Sequence, residues 1–150
     1  MDRTVILFLK ASLAWLVAGV TLGVGMALAP SLTVYRAAHI HMLLLGFVTG
    51  MIFGVGYHVF PRFAGRALHN ARLVMPHWWL ANVGVGAMAA AFVLRVEGVA
   101  GAVVLLGAGG SASAMGAYLF AYNVWRTLSG VAAPRPAPSR RAGVLPLIGG

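Results

Sequence analysis

Two imidazoles, His39 and His41, stand two positions apart in Ala38-His39-Ile40-His41, at the mouth of an apolar stretch that runs to Tyr57-His58-Val59-Phe60-Pro61. Ionisable groups inside a membrane span are costly and concentrate at functional sites. Neutral imidazole is a common ligand, so metal or heme ligation is the chemistry this pair could carry. The plainer alternative is a pair of interfacial histidines bonded to backbone or headgroups. On an ideal helix, residues two apart differ in direction by roughly 200°, so the two rings point to nearly opposite faces and cannot clasp one porphyrin between them. The same arithmetic places Gly46, Gly50 and Gly54 within roughly 60° of His39. Val48, Ile52, Val55 and Val59 fall below His41 instead. A glycine strip of this spacing either lets another helix approach closely or makes room for a flat macrocycle.

The other histidines read differently. His58 lies near the far end of the same stretch, out of reach of a group held by the pair given a rise of ~1.5 Å per residue. It reads as interfacial. His69 falls in the polar loop Arg66 to Arg72, and His77 opens a helix just after Pro76, a good helix-start residue. Both read as structural.

The elements that must position the pair are membrane helices. Of 150 residues 61% are hydrophobic and 9% charged, and the mean hydropathy is +0.90, the composition of an integral membrane protein. Four segments are long enough to cross a bilayer, which takes ~20 helical residues: Val5 to Ala29, Ala37 to Phe60, Pro76 to Leu94 and Val99 to Val124. The expectation is an all-α membrane protein, a four-transmembrane-helix bundle over 1–128 with a Pro-rich basic cytoplasmic tail over 129–150. Ala27-Leu28-Ala29 imitates a signal cleavage site, but the apolar run is too long and Pro30 follows, so a retained helix is expected.

Asp2 and Glu97 are the only acidic residues and cysteine is absent. A carboxylate pair, a thiolate metal site, a disulfide and an iron-sulfur cluster are therefore excluded within one chain. The formal charge of +9 would suggest nucleic acid in a soluble protein, but here the cations fall between apolar spans and set topology. No nucleic-acid partner is expected. Arg3, Lys10, Arg62, Arg66, Arg72, Arg126, Arg135, Arg140 and Arg141 fall on one side, and only Arg36 and Arg95 on the other. Both termini are then cytoplasmic, in the cell inner membrane, and the His39/His41 pair lies near the outer surface. Trp15, Trp78, Trp79 and Trp125 are read as an aromatic belt toward span ends.

The run Thr33-Val34-Tyr35-Arg36-Ala37-Ala38-His39-Ile40-His41, then Gly54, then His58-Val59-Phe60-Pro61-Arg62-Phe63-Ala64-Gly65 resembles the tenth transmembrane helix of heme-copper oxidase subunit I, the family that includes nitric oxide reductases. His77-Trp78-Trp79 and Val83-Gly84-Val85 resemble its next helix. The chain as a whole is similar to that subunit's ninth to twelfth helices. The resemblance implies that His39 corresponds to the proximal ligand of the active-site heme and His41 to an axial ligand of the low-spin heme. It also implies that Arg95, with Arg36 on the same side, stands near heme propionates, a chemically sensible place for a cation. A headgroup-facing arginine is the alternative there.

The departures are large. The family's subunit has twelve helices, a low-spin-heme ligand on its second helix and three copper-ligating histidines on its sixth and seventh, and none of that copper site is here. No copper is expected, and a single copy cannot be a terminal oxidase. The expectation is a heme b protein in electron transfer or another respiratory-oxidase role, with heme shared across a homo-oligomer such as a trimer mimicking the family's three blocks. Gly46 and Gly50 would border the macrocycle. The alternatives are a five-coordinate heme enzyme binding oxygen or nitric oxide, and a cofactor-free assembly or scaffold subunit of a respiratory complex. Copper or zinc at the histidines alone is a weaker option, because no carboxylate or thiolate completes the shell.

Overall fold

The computed structural model describes residues 3–130, so all but the first two positions of the Pro-rich tail lie outside the described residues. Within them the chain is helical. Helix α1 (Arg3–Leu28) stops because Pro30 forces Ala29 into an extended conformation, φ −131° and ψ 96°. A 3₁₀ turn, Pro30–Tyr35, leads into α2 (Arg36–His41), a π-helical segment (Met42–Thr49) and α3 (Gly50–Phe63), which together form one rod. After a short loop come α4 (Val74–Val96) and α5 (Ala102–Leu128). The four helical rods, Arg3–Leu28, Pro30–Phe63, Ala71–Val96 and Ala102–Leu128, are each long and apolar enough to cross a membrane. The chain is an all-α membrane bundle.

The turns between rods explain where the sequence-based boundaries slip. The fourth span was expected from Val99, but Gly98 and Gly101 adopt left-handed φ of 70° and 84°, and α5 starts only at Ala102. Gly98 closes α4: its N–H donates to Arg95 O at 3.2 Å and that of Val99 donates to Leu94 O at 2.9 Å. Carbonyls that a helix end would otherwise leave bare are satisfied inside the chain. That matters where lipid offers no hydrogen bond.

Glycines set how closely the rods approach. A Cβ on Gly46 would lie 2.7 Å from Trp15 Cβ, one on Gly50 2.6 Å from Ser12 Oγ, and one on Gly54 2.9 Å from Phe8 Cβ. The strip therefore seats α1. Helices α4 and α5 touch backbone to backbone, since a Cβ on Gly84 would meet Ser113 N at 2.7 Å and Gly109 O at 2.8 Å. Between the rods the buried cluster is Val5, Phe8, Phe53, Tyr57 and Val74.

Polar side chains tie the same contacts. Trp15 Nε1 donates to Asn82 Oδ1 at 3.0 Å. Trp15 thus stands in the middle of α1 as an inter-helix link, and not in the aromatic belt expected for it. Trp79 and Trp125 are exposed, 57% and 73%, as belt residues should be. Asn70 and Asn123 exchange two hydrogen bonds, Asn70 N–H to Asn123 Oδ1 at 2.9 Å and Asn123 Nδ2 to Asn70 O at 2.8 Å, which staple the α3–α4 loop to α5.

Because Ser113 N and Gly109 O, two of the three atoms nearest a Cβ on Gly84, are backbone and cannot step aside, Gly84→Ala should destabilise the bundle by about 1–3 kcal/mol. Gly107 faces open space, so Gly107→Ala should leave stability within about 0.5 kcal/mol of wild type. Unfolding in mixed micelles checks both, and equal effects would contradict the packing described.

Candidate functional site

His39 and His41 end the short helix α2 and point to different neighbours. The His39 ring lies against α1, with Nδ1 2.8 Å from Gly19 O, and a Cβ on Gly23 would come within 2.8 Å of its Cε1. The His41 ring lies on the other side, 4.7 Å from the Phe92 ring of α4, with Nδ1 2.8 Å from Ala37 O, one turn back in its own helix. Both side chains are half-buried. The opposed directions expected from helical geometry are present.

A carbonyl oxygen can only accept, so in each ring Nδ1 carries the hydrogen. The lone pair is then on Nε2. This is the arrangement that orients an imidazole as a ligand: one nitrogen held by a backbone acceptor, the other a base available to a metal.

The π-helical segment begins directly after His41. Its i→i+5 register shows in the Gly50 N–H bonded to Leu45 O and in the Thr49 hydroxyl, which donates to Leu44 O at 2.8 Å. Segments of this kind are rare and gather at functional sites. It also means that the ideal-helix angles relating His39 to Gly46 and beyond are approximate, whereas those within α2 hold.

The macrocycle space expected at Gly46 and Gly50 is taken by α1, through Trp15 and Ser12. The close-helix alternative is what the packing realises there. An open groove of about 340 Å³ is lined by Val34, Ala37, Phe92, Arg95 and Val96, with neither histidine in its wall. Two of these, Ala37 and Phe92, are the residues that hold the His41 ring. Arg95 supplies the groove's cation. Arg36 opens α2 at the same end of the bundle, where the Tyr35 hydroxyl donates to the Glu97 carboxylate and ties the 3₁₀ turn to the end of α4.

Among the described residues no three or more His, Cys, Asp or Glu side chains gather to hold a metal ion. A porphyrin brings four nitrogens of its own and asks the protein for one or two axial ligands. Two imidazoles whose Nδ1 atoms are each held by a backbone carbonyl fit that requirement in donor chemistry.

The remaining histidines do not join the pair. His58 is half-buried near the end of α3, and its carbonyl accepts from Arg62. His69 is exposed, with its ring edge on Tyr122 at 5.8 Å. His77 is fully buried, ringed by Phe8, Phe53, Tyr57 and Phe120. Its Nδ1 lies 2.9 Å from the Tyr57 hydroxyl. Reasoning from the sequence missed Phe92 and the pair Gly19 and Gly23. The second of these had a signal, since Gly19 and Gly23 repeat the four-residue glycine spacing of Gly46, Gly50 and Gly54.

No family model matches the chain. It is 28% identical over 130 residues to the cbb3-type cytochrome c oxidase subunit CcoN1 of Stutzerimonas stutzeri, covering 70% of this chain and 27% of that protein. It is also 28% identical over 122 residues to cytochrome c oxidase subunit 1 of Rhodobacter capsulatus, covering 65% of this chain and 23% of that protein. The chain thus spans about a quarter of the length of the curated relatives it matches. With four helices long and apolar enough to cross a membrane, it is similar over part of its length to these two oxidase subunits.

Proposed function

We propose that this chain is a heme-binding membrane protein of the respiratory-oxidase type, in which His39 and His41 supply axial imidazoles to heme shared between subunits of a homo-oligomer. The observation that carries the reading is the state of the pair: two rings on opposite faces of α2, each with Nδ1 committed to a backbone carbonyl and Nε2 left as a base. Opposed ligands on one chain cannot serve one iron together, but each can serve an iron whose other face is met by a neighbouring chain. A closed ring of identical subunits repeats that pairing with one heme per chain.

In this reading the four rods correspond to the ninth to twelfth helices of subunit I, and three copies stand where that subunit has three blocks. The cytoplasmic side of the inner membrane holds both termini, so the pair sits near the outer surface. Heme of the b type would be held by His39 and His41 and would supply one-electron redox chemistry. A respiratory-chain protein is the redox partner.

The chain's own residues do the positioning. Gly19 O fixes the His39 ring and Ala37 O the His41 ring, while Phe92 limits His41 to one orientation. Arg95, at the groove rim, and Arg36 beside it meet the propionate carboxylates. Gly46 and Gly50 contribute indirectly, by letting α1 come close enough for Gly19 to reach His39.

Expression with added heme should give a bis-imidazole spectrum, and His39→Ala or His41→Ala should each abolish its low-spin signature. Retention of that signature in His41→Ala would contradict a shared site. Carbon monoxide should bind poorly to wild type; ready binding would instead indicate a five-coordinate heme that takes up small gases. Absence of heme, with a stable complex to other respiratory subunits, would point to a scaffold role. Gly23→Ala places a methyl against His39 Cε1 and should reduce heme retention about tenfold or more, as disturbed support of a metal-bound histidine does. The heme-to-protein ratio after purification measures it.

A further inference from the structure

Of the five histidines, His77 alone is fully buried, and the heme reading makes no use of it. Four aromatic rings surround its imidazole: Phe53, Phe8, Tyr57 and Phe120, at centroid distances of 4.4, 4.9, 5.6 and 5.8 Å. Aromatic faces at this range, up to about 6 Å, attract a cation. The rings come from α1, α3 and α5, and Tyr57 is the one among them that can exchange a proton. Among the described residues His77 Nε2 has no hydrogen-bond partner, while Nδ1 lies 2.9 Å from the Tyr57 hydroxyl.

The hydrogen in that bond belongs to Tyr57. Asn123 Oδ1 accepts from the Asn70 N–H and its Nδ2 donates to Asn70 O, so the amide turns its second N–H to the Tyr57 oxygen. The hydroxyl's own hydrogen then goes to His77 Nδ1, and the imidazole hydrogen sits on Nε2. The reverse assignment would strand both the Tyr57 O–H and the Nε2 lone pair, whereas this one strands a single N–H beside aromatic faces that accept it weakly. His77 therefore has the opposite tautomer to His39 and His41: its basic nitrogen is Nδ1, and Tyr57 covers it.

Tyr57 also stands in the wall of a cavity of about 220 Å³ at the end of the bundle where α1 and α4 start. Thr4, His58 and Arg62 share that wall, and His58 and Arg62 are its other titratable or charged groups. A space of this size with polar walls has room for water. Ionisable groups inside a membrane span mark proton paths as well as ligand sites. We propose that Tyr57 and His77 form a proton-uptake site that opens to this cavity. A proton from water joins the Tyr57 oxygen as the hydroxyl's own proton passes to His77 Nδ1. The phenol is restored, and the imidazole becomes an imidazolium held among the four rings. Release of the proton retraces the same route. The site is separate from the His39/His41 pair and does not depend on heme.

The test uses the full chain as purified, in phosphatidylcholine vesicles, with isotope-labelled histidine and tyrosine and ring protonation read by solid-state NMR. His77 is recognised by its contact with the Tyr57 ring. At neutral pH it should show a bare, hydrogen-bonded Nδ1 and a protonated Nε2. On acidification it should become an imidazolium while helicity, followed by circular dichroism, stays constant. Tyr57→Phe keeps the ring and removes the hydroxyl, and should slow exchange between the two forms about a hundredfold, the scale of a positioned proton carrier. His69→Gln, at an exposed ring on Tyr122, should leave the exchange unchanged. A protonated Nδ1 at neutral pH, a ring that stays neutral until the helices unfold, or equal exchange in Tyr57→Phe would each overturn the proposal. The first two are read in the unmutated chain and so stand even if the variant fails to fold.

Discussion

The hydrogen bond from His39 Nδ1 to the Gly19 carbonyl ties the second span to α1, whose glycines and those of the second span each receive side chains of the other helix. In lipid an imidazole has no water to satisfy it, so its polar atoms must find partners within the protein. A backbone carbonyl of a neighbouring helix is such a partner only when no side chain stands between, and Gly23, whose Cβ would lie 2.8 Å from His39 Cε1, leaves room for the ring. The close approach fixes the ring, the ring's hydrogen goes to Nδ1, and Nε2 becomes the base. His41 reaches the same state by a local route, bonding one turn back to Ala37 and resting on Phe92.

The gross architecture was legible because the bilayer imposes it. Four apolar runs of sufficient length had to be helices, and all four are. The opposition of His39 and His41 was also legible, because both sit in α2, where ideal periodicity holds. What periodicity could not show was the π-helical segment after His41, since Met42 to Thr49 carries no residue that signals the wider register. Nor could it decide between a helix and a macrocycle over Gly46 and Gly50, because a flat strip accepts either. Trp15 was misplaced for a related reason: an amphipathic ring suits an interface, but its N–H is equally satisfied by Asn82 of a neighbouring helix.

The chain spans about a quarter of the length of the oxidase subunits it resembles. In the proposed heme site, two imidazoles that face apart, with no third metal-binding side chain gathered near them among the described residues, leave the second half to another chain. The proposed homo-oligomer supplies that half with more copies of the same α2. It also gives the groove of Val34, Phe92 and Arg95 a purpose, as the flank along which a macrocycle enters the contact between chains.

The central claim is that heme is held by both histidines in a shared arrangement. The most direct measurement is an absorption spectrum of the purified oligomer, with pyridine-hemochrome quantitation against protein and mass. The account predicts a low-spin heme b spectrum at one heme per chain in an assembly of more than one chain. A heme-free protein, or a stable monomer carrying a full complement of low-spin heme, would contradict it.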